Sequence, residues 1–168
     1  IFNGANSSDI LTNETFYNLH LDKTYAAFDA LETGTSGNGR DVIILNNLHL
    51  LDGTLELNDP THLTVDNILT IDEGAVLNAN DTGTIEITIG EDWFDFNASG
   101  GFDAGNSSLV EFTNSNANTL HQILEWDAFN DIKINTSAAW ARPSNDVPIT
   151  CNNLHIQNGR LKLAGYNI

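Results

Sequence analysis

Apolar and polar residues alternate with a period of two along most of this chain. The segment NNLHLLDGTLEL at 46–57 shows the pattern, with Leu at every second position on both sides of an Asp-Gly turn. Successive side chains of a β-strand point to opposite faces, whereas a helix repeats its apolar residues at intervals of three and four. Met is absent, and Asn, Asp, Gly and Ser separate the alternating segments. The pattern therefore predicts an all-β chain.

The alternating segments are also copies of one another. The segment at 46–57 matches NNLHIQNGRLKL at 152–163, an offset of 106 residues (152 minus 46), and the alternating apolar positions at 48, 50, 55 and 57 are all retained. A closer copy aligns Gly53 with Gly74, an offset of 21 (74 minus 53). Self-similarity at such periods is typical of repeat architectures, in which each unit buries its apolar face against its neighbours.

These repeats predict a stack of coils, each built from three short strands. Every strand of such a solenoid pairs with its equivalent about 4.8 Å away in the next coil, and one side of each strand faces a continuous core. The offsets give about 21–29 residues per coil. We therefore expect a parallel β-helix that forms a single module over 1–168, with loop excursions near 33–40 and 138–147.

Each coil is expected to start with a strand whose aliphatic residues point inward. Coil starts are predicted near Phe2, Leu19, Leu48, Leu69, Trp93, Phe112 or Ile132, and Leu154. The resulting inward column is predicted to contain Leu19, Leu21, Leu48, Leu50, Leu69, Ile71, Leu154 and Ile156. Burial of each side chain should contribute about 1.5 to 3 kcal/mol.

An amide residue recurs just before the inward Leu of several coils. The positions are Asn18, Asn47 and Asn153, with Asp131 in the same place in another coil. Stacked side-chain amides can hydrogen-bond along the axis of a solenoid and hold its corners in register. We therefore expect a structural ladder at these positions.

The chain is strongly acidic, with 23 Asp and Glu against six Lys and Arg and a net charge of −17. This charge excludes nucleic-acid binding, because no cationic surface is available to replace phosphate counterions. It favours solubility and makes divalent cations candidate partners. No apolar segment approaches the roughly 18 residues of a membrane span.

Candidate metal ligands are present, but their pattern is incomplete. His20, His49 and His155 share one outward position, yet Thr70 and Lys133 interrupt the series, which favours solvated side chains. A second hypothesis is a cation between two carboxylates of adjacent coils, because their mutual repulsion would favour it. The carboxylates concerned are Asp52 and Glu73.

No sequence motif for catalysis is present. The chain lacks a GxSxG or HExxH motif, a phosphate loop and a Cys/His cluster. The single cysteine, Cys151, lies in an alternating segment and is expected to be a small buried core residue. We therefore predict a protein that is not an enzyme and carries no cofactor.

Six Asn-x-Ser/Thr acceptors make glycosylation a candidate modification. They fall in predicted turns or solvent-facing stretches, as an attached glycan requires. The acceptors are Asn6, Asn13, Asn80, Asn97, Asn106 and Asn135.

Aromatic residues cluster in the second half of the chain. They are Trp93, Trp126 and Trp140, with Phe94, Phe96 and Phe129. A sugar-stacking strip is one interpretation, but core or inter-module packing is favoured. The alternation of WFDF at 93–96 predicts one pair of rings in the core and the remaining residue outside.

Four segments resemble repeat modules of very large bacterial and archaeal surface proteins. They are LTVDNILTIDEGAVLNAN, TIEITIGEDWFDF, GGFDAGNSSLVEFTNSN and NNLHIQNGRLKLAGYNI. Such modules occur in adhesin-like, S-layer-like and filament-forming proteins. The resemblance implies a right-handed parallel β-helix, export from the cell and an extracellular or cell-surface location.

The function expected from these observations is structural or adhesive. Both ends of the chain are expected to expose unpaired strand edges, which favours a head-to-tail homopolymer or adjoining modules of a longer chain. The edge residues are Ile1, Phe2, Tyr166 and Ile168. The alternative is a carbohydrate-binding or polysaccharide-cleaving β-helix, with glycans as partners.

Overall fold

The computed structural model describes residues 1–3, 6–23, 30–114, 120–141 and 149–162. In these residues the protein is all-β and forms a parallel β-solenoid of about six turns, without helices. The strands are β1 (Phe2–Asn3), β2 (Ser8–Asp9), β3 (Glu14–Phe16), β4 (Leu19–Asp22), β5 (Ala30–Glu32), β6 (Gly34–Thr35), β7 (Asn38–Gly39), β8 (Val42–Ile44), β9 (Leu48–Glu56), β10 (Thr61–Val65), β11 (Leu69–Ile71), β12 (Ala75–Asn78), β13 (Ile85–Ile89), β14 (Trp93–Asp95), β15 (Phe102–Asp103), β16 (Ser108–Asn114), β17 (Leu120–Leu124), β18 (Ala128–Ala141) and β19 (Thr150–Lys162). The prediction of a parallel β-solenoid is confirmed.

The strands stack into three faces, which we call A, B and C. Face A contains β1, β4, the first part of β9, β11, β14 and the end of β17. Face B contains β2, β5, the second part of β9, β12 and β15. Face C contains β3, β8, β10, β13, β16, β18 and β19. All pairings within the faces are parallel, because each coil runs in the same direction as the one before it.

The coil length agrees with the predicted 21–29 residues at most of the pairings. Paired residues are separated by 21 positions between Leu48 and Leu69 (69 minus 48). The smallest separation is 19, as between Phe2 and Leu21 (21 minus 2), and the largest is 30, as between Trp93 and Ile123 (123 minus 93).

The core lies between the three faces and is filled by the inward residues of each strand. In β13, for example, Ile85, Ile87 and Ile89 are fully buried, while Glu86 and Thr88 between them are partly exposed. A strand that is apolar on one side only can bury that side against the other two faces and keep its polar side in water.

The predicted inward column is confirmed for six of its eight residues and wrong for the other two. The side chains of Leu19, Leu21, Leu48, Leu50, Leu69 and Ile71 are buried. Leu154 and Ile156 are 47% and 46% exposed. They lie in β19, which is the last described strand of face C, so no further coil within the described chain covers them.

The assignment of strands to faces also differs from the prediction. Leu154 pairs with Ile132 in face C, not with the column of Leu48, and Phe112 belongs to face C as well. At the first coil, Phe2 pairs with Leu21 rather than Leu19. All three faces have the same alternation of two, so a sequence repeat can match strands of different faces.

Two amide ladders hold the corners of the coils in register. In the first ladder, Asn46 Nδ2 donates to Asn18 Oδ1 at 2.9 Å, and Asn67 Nδ2 donates to Asn47 Oδ1 at 2.7 Å. In the second, which follows face C, Asn153 Nδ2 donates to Asp131 Oδ1 at 2.7 Å. The predicted ladder therefore exists, but Asn153 belongs to a separate one.

A small hairpin leaves the solenoid between faces B and C. Its strands β6 and β7 pair antiparallel, and their sequence lies within the expected excursion at 33–40. Asn58 anchors the hairpin from the next coil, because its Nδ2 donates to the carbonyl of Gly34 at 3.1 Å. The second expected excursion, at 138–147, starts later than predicted, since β18 extends through Ala141. Residues 142–148 lie outside the described part of the chain.

Candidate functional site

Among the described residues, face B ends at β15, and the carboxylate of Asp127 occupies the place of a next strand. After β17 the chain passes through residues 125–127 directly into β18 of face C. In earlier coils, backbone N–H groups of face B donate to backbone carbonyls of the next coil, as when Leu77 N donates to Gly101 O at 2.8 Å. At the end of the face, Asp127 Oδ2 accepts from the N–H groups of Gly100 (2.7 Å), Gly101 (3.0 Å) and Phe102 (3.3 Å).

Glu125 lies at the start of the same turn and is only 1% exposed. Its Oε1 accepts from the backbone N–H groups of Trp126 and Asp127, both at 2.9 Å. Its Oε2 accepts from the indole Nε1 of Trp93 at 2.7 Å. These three donors fix the position of the carboxyl group inside the solenoid.

Asp95 approaches the same place from face A. It is the last residue of β14, it points inward two positions after Trp93, and it is 0% exposed. Its Oδ1 accepts from the backbone N and the side-chain Nδ2 of Asn97, both at 2.8 Å. Its Oδ2 has no hydrogen-bond partner.

The three carboxylates converge, with one ligand atom from each lying within 4.8 Å of the others. Two glycines shape this region, Gly100 through its backbone conformation and Gly101 through its lack of a side chain. Gly100 has a φ of 80°, which L residues with a side chain rarely adopt. A Cβ at Gly101 would collide with both carboxylate oxygens of Asp95. We call Asp95, Glu125 and Asp127 the acidic cluster.

Burial makes a full negative charge unfavourable in this cluster. Burial, and then the charge of Asp95, raise the pKa of Glu125 to about 9. Burial also raises the pKa of Asp95, with the charge of Asp127 acting in the same direction. Among the described residues, none of the three carboxylates takes part in an ion pair with Lys, Arg or His.

The acidic cluster can hold a proton or a small cation. Only Asp127 is partly exposed, whereas Asp95 and Glu125 lie inside the solenoid. A molecule of the size of a sugar could not contact the two buried carboxyls without displacing residues of the core.

This cluster was not predicted from the sequence. Its candidate pair, Asp52 and Glu73, is not part of any three-residue acidic or metal-ligating group in the described chain. The available signal was an acidic residue at an inward position, Asp95, within an otherwise apolar alternation. Glu125 could be recognised as the neighbour of Asp95 only once the strand before it, β17, was known to pair with β14.

The predicted glycosylation acceptors differ in accessibility. Asn6, Asn13, Asn80 and Asn106 are exposed, and Asn135 is half-buried with its Nδ2 donating to Glu111 Oε1 at 2.8 Å. Asn97 is 7% exposed, and its Nδ2 also donates to the carbonyls of Asp72 and Ala75. Asn97 is therefore a poor acceptor in the folded chain, because the atom that would carry the glycan holds a corner of the solenoid.

The predicted association edges are described at one end only. Ile1 is exposed, and Phe2 packs edge-on against Phe16 with ring centroids 6.1 Å apart. Tyr166 and Ile168 lie outside the described residues.

Cys151 is half-buried and packs against the core rather than lying fully inside it.

The histidines of the outward position separate into two places. His20 and His49 are neighbours on face A, with ring centroids 5.8 Å apart, and His49 Nε2 lies 2.9 Å from Asp72 Oδ2. His155 pairs with Lys133 on face C.

The aromatic residues around WFDF are arranged differently from the prediction. Trp93 is buried and Asp95 points inward with it, so both phenylalanines point outward. Phe94 and Phe96 stack with centroids 6.1 Å apart and planes at 18°, and Phe96 is 54% exposed. Phe129 is buried beside Trp93, whereas the side chain of Trp140 lies outside the described part of the structure.

In the described part of the chain, no helix has the length and hydrophobicity required to cross a membrane. No protein-family model, curated protein or solved structure matches this chain.

Proposed function

We propose that this chain is a structural module of an extracellular surface protein, and that its solenoid stacks end to end to build a filament, stalk, S-layer or adhesin. The observation that carries the proposal is the open edge of β19, which no strand of the described residues covers. Leu154 and Ile156 stand above Ile132 and Ile134 on the inward column of face C, yet they are 47% and 46% exposed. In the preceding coils, each strand of face C is paired with a strand of the next coil, so the edge of β19 is suited to a further coil.

A second copy of the chain is the partner that fits this edge. A strand that covers β19 must pair in parallel and place apolar side chains over Leu154 and Ile156. At the other end of face C, Phe16 of β3 pairs with Ile44 and packs partly buried against the core. Contact between β19 and β3 of another copy would continue the ladder, and such a head-to-tail contact yields an open fibre rather than a closed dimer.

Charge opposes this association at low ionic strength. Each copy carries a net charge of −17, so two copies repel one another until salt screens them. End-to-end stacking should therefore strengthen as the salt concentration rises.

Sedimentation velocity over a range of protein and salt concentrations tests the proposal. We expect the chain to form species larger than a dimer at high concentration, and Ile156→Glu to abolish them by placing a charge on the inward column. His155→Glu is the matched control, because it adds a negative charge at the adjacent outward position of the same strand. A wild-type chain that stays monomeric throughout, or equal loss of assembly in both variants, would contradict end-to-end stacking.

An extracellular location and a role without catalysis are parts of the same proposal. The resemblance to surface-protein modules supports export, and four accessible Asn-x-Ser/Thr acceptors are compatible with glycosylation outside the cell. The buried position of Asp95 and Glu125 supports a role inside the scaffold rather than contact with a substrate.

Carbohydrate binding is the second candidate function, and the stacked pair of Phe94 and Phe96 favours it. Exposed aromatic rings can pack against the apolar face of a sugar ring. If this pair binds glycans, Phe96→Ala should lower affinity for a polysaccharide at least tenfold in a glycan-array or calorimetric measurement. Ile43→Ala is the control, since it removes an exposed apolar side chain on face C. Unchanged glycan binding in Phe96→Ala would rule out this surface.

A further inference from the structure

The acidic cluster contains a buried oxygen for which the protein provides no partner. Asp95 Oδ2 is fully buried and no N–H group donates to it, although nearly all buried polar atoms in proteins have a partner; the neighbouring polar group is the carboxyl of Glu125, which can donate only when it is protonated. The same oxygen lies against Gly101, where the lack of a side chain leaves room for it. An unpartnered oxygen of this kind, facing two further carboxylates, is suited to an ion.

We propose that Asp95, Glu125 and Asp127 bind a divalent cation with a preference for oxygen ligands, namely Ca²⁺, and that the ion joins the end of face B to face A. This site is independent of the open edge of β19 and does not rest on the function proposed above.

Hydrogen bonds orient the carboxylates and leave oxygens available for the ion. Asp95 uses Oδ1 for Asn97, which leaves Oδ2. Asp127 uses Oδ2 for the backbone of residues 100–102, and within the described chain no hydrogen bond reaches its Oδ1. Glu125 Oε2 accepts only from Trp93 and retains a second lone pair. Hydrogen bonds of this type orient ligands in metal sites and raise their affinity.

The separation of the ligand atoms fits a calcium ion. Oxygens bound to one Ca²⁺ lie about 2.3 to 2.6 Å from it, so they can be up to about 5 Å apart. The ligand atoms of the acidic cluster lie within 4.8 Å of one another. Carboxylates can bind Ca²⁺ through one oxygen or two, and Asp127 is partly exposed, so water can complete the coordination.

The ligand type excludes the softer metals as the preferred occupant. The cluster consists of carboxylates alone, whereas zinc and copper sites in proteins use imidazole or thiolate ligands. Mg²⁺ requires near-octahedral geometry at about 2.0 to 2.1 Å and retains most of its water, which does not suit two buried ligands.

The charge balance supports the same ion. Three carboxylates without a cationic partner among the described residues would bring up to three negative charges into a space that is largely closed to water. The raised pKa of Glu125 and of Asp95 reflects this cost. A divalent cation compensates most of this charge.

Titration of the full chain with Tb³⁺, a luminescent substitute for Ca²⁺, tests the proposal. Trp93 donates a hydrogen bond to a proposed ligand, so excitation of tryptophan should sensitise an ion bound there. We expect one saturable site per chain, displacement of Tb³⁺ by Ca²⁺ at about 1 mM or less, and weak competition by Mg²⁺. Saturating Ca²⁺ should also raise the melting temperature.

Matched variants separate this site from the general acidity of the surface. Glu125→Gln and Asp95→Asn should each weaken Ca²⁺ binding at least about tenfold, while circular dichroism verifies that they remain folded. Glu14→Gln is the control, because it removes one charge from an exposed residue outside the cluster.

Two results would overturn the site. One is the absence of saturable binding of Tb³⁺ or Ca²⁺ by the wild-type chain, which needs no variant to interpret. The other is equal weakening by Glu14→Gln and Glu125→Gln, since that result would show diffuse attraction of cations to an acidic surface.

Discussion

Replacing Ile134 by Ala is expected to lower the free energy of unfolding by about 2 to 5 kcal/mol. The same replacement at Ile156 should cost less than about 1 kcal/mol in the monomer. Ile134 is fully buried in β18, whereas Ile156, its partner in β19, is 46% exposed. Urea denaturation at a protein concentration where sedimentation shows a monomer measures both values.

The pair is informative because the two residues share their chemistry, face and inward direction. They differ in one respect, which is whether a further coil covers them. Equal losses in the two variants would show that β19 is covered in the isolated chain. If instead Ile156→Ala becomes costly only under conditions of assembly, the open edge is the contact between copies.

The alternation of apolar residues was sufficient to predict the architecture. A period of two identifies strands, and an offset such as that between Leu48 and Leu69 shows that equivalent strands recur once per coil. The inward direction of Leu19, Leu48 and Leu69 followed from the same pattern, because a slip of one residue would place the apolar side chains in water.

The pattern could not assign strands to faces. Leu154 has the same sequence context as Leu48, but it lies on face C, while Leu48 lies on face A. Each face of a solenoid buries its inward residues in the same core, so each selects the same alternation. The face is determined by how many strands the chain forms before it returns, and residues 125–127 omit a strand of face B without a strong sequence signal.

The acidic cluster could not be predicted from the sequence for the same reason, namely that the alternation does not assign strands to faces. Asp95 and Glu125 are 30 residues apart (125 minus 95), and a regular coil of about two dozen residues would not bring them together. The longest coil, from Trp93 to Ile123, places Glu125 directly after the strand that pairs with β14. A carboxylate on the inward side of a strand was therefore the only local indication of the site.

The proton that the cluster holds in the absence of metal has a consequence for stability. Burial raises the pKa of Glu125 from its ordinary value of 4.5 to about 9. Between these two pH values the folded chain keeps a proton that the unfolded chain releases. The contribution of this carboxyl to stability is therefore fully present below about pH 4.5 and is lost as the pH rises towards about 9.

In the presence of a chelator, the folded wild-type chain should therefore lose stability relative to Glu125→Gln as the pH rises from about 5 to about 8.5. The maximum slope that one carboxyl can contribute is about 1.4 kcal/mol per pH unit. The amide that replaces the carboxyl in this variant cannot release a proton, so the variant removes the titration of this group. Its single oxygen cannot accept from both Trp93 and the backbone N–H groups of residues 126 and 127, and that loss lowers stability by an amount that does not depend on pH. Urea denaturation of both chains at several pH values measures the difference. A difference that stays constant with pH, or that grows in favour of the wild-type chain, would show that Glu125 is ionised in the folded protein.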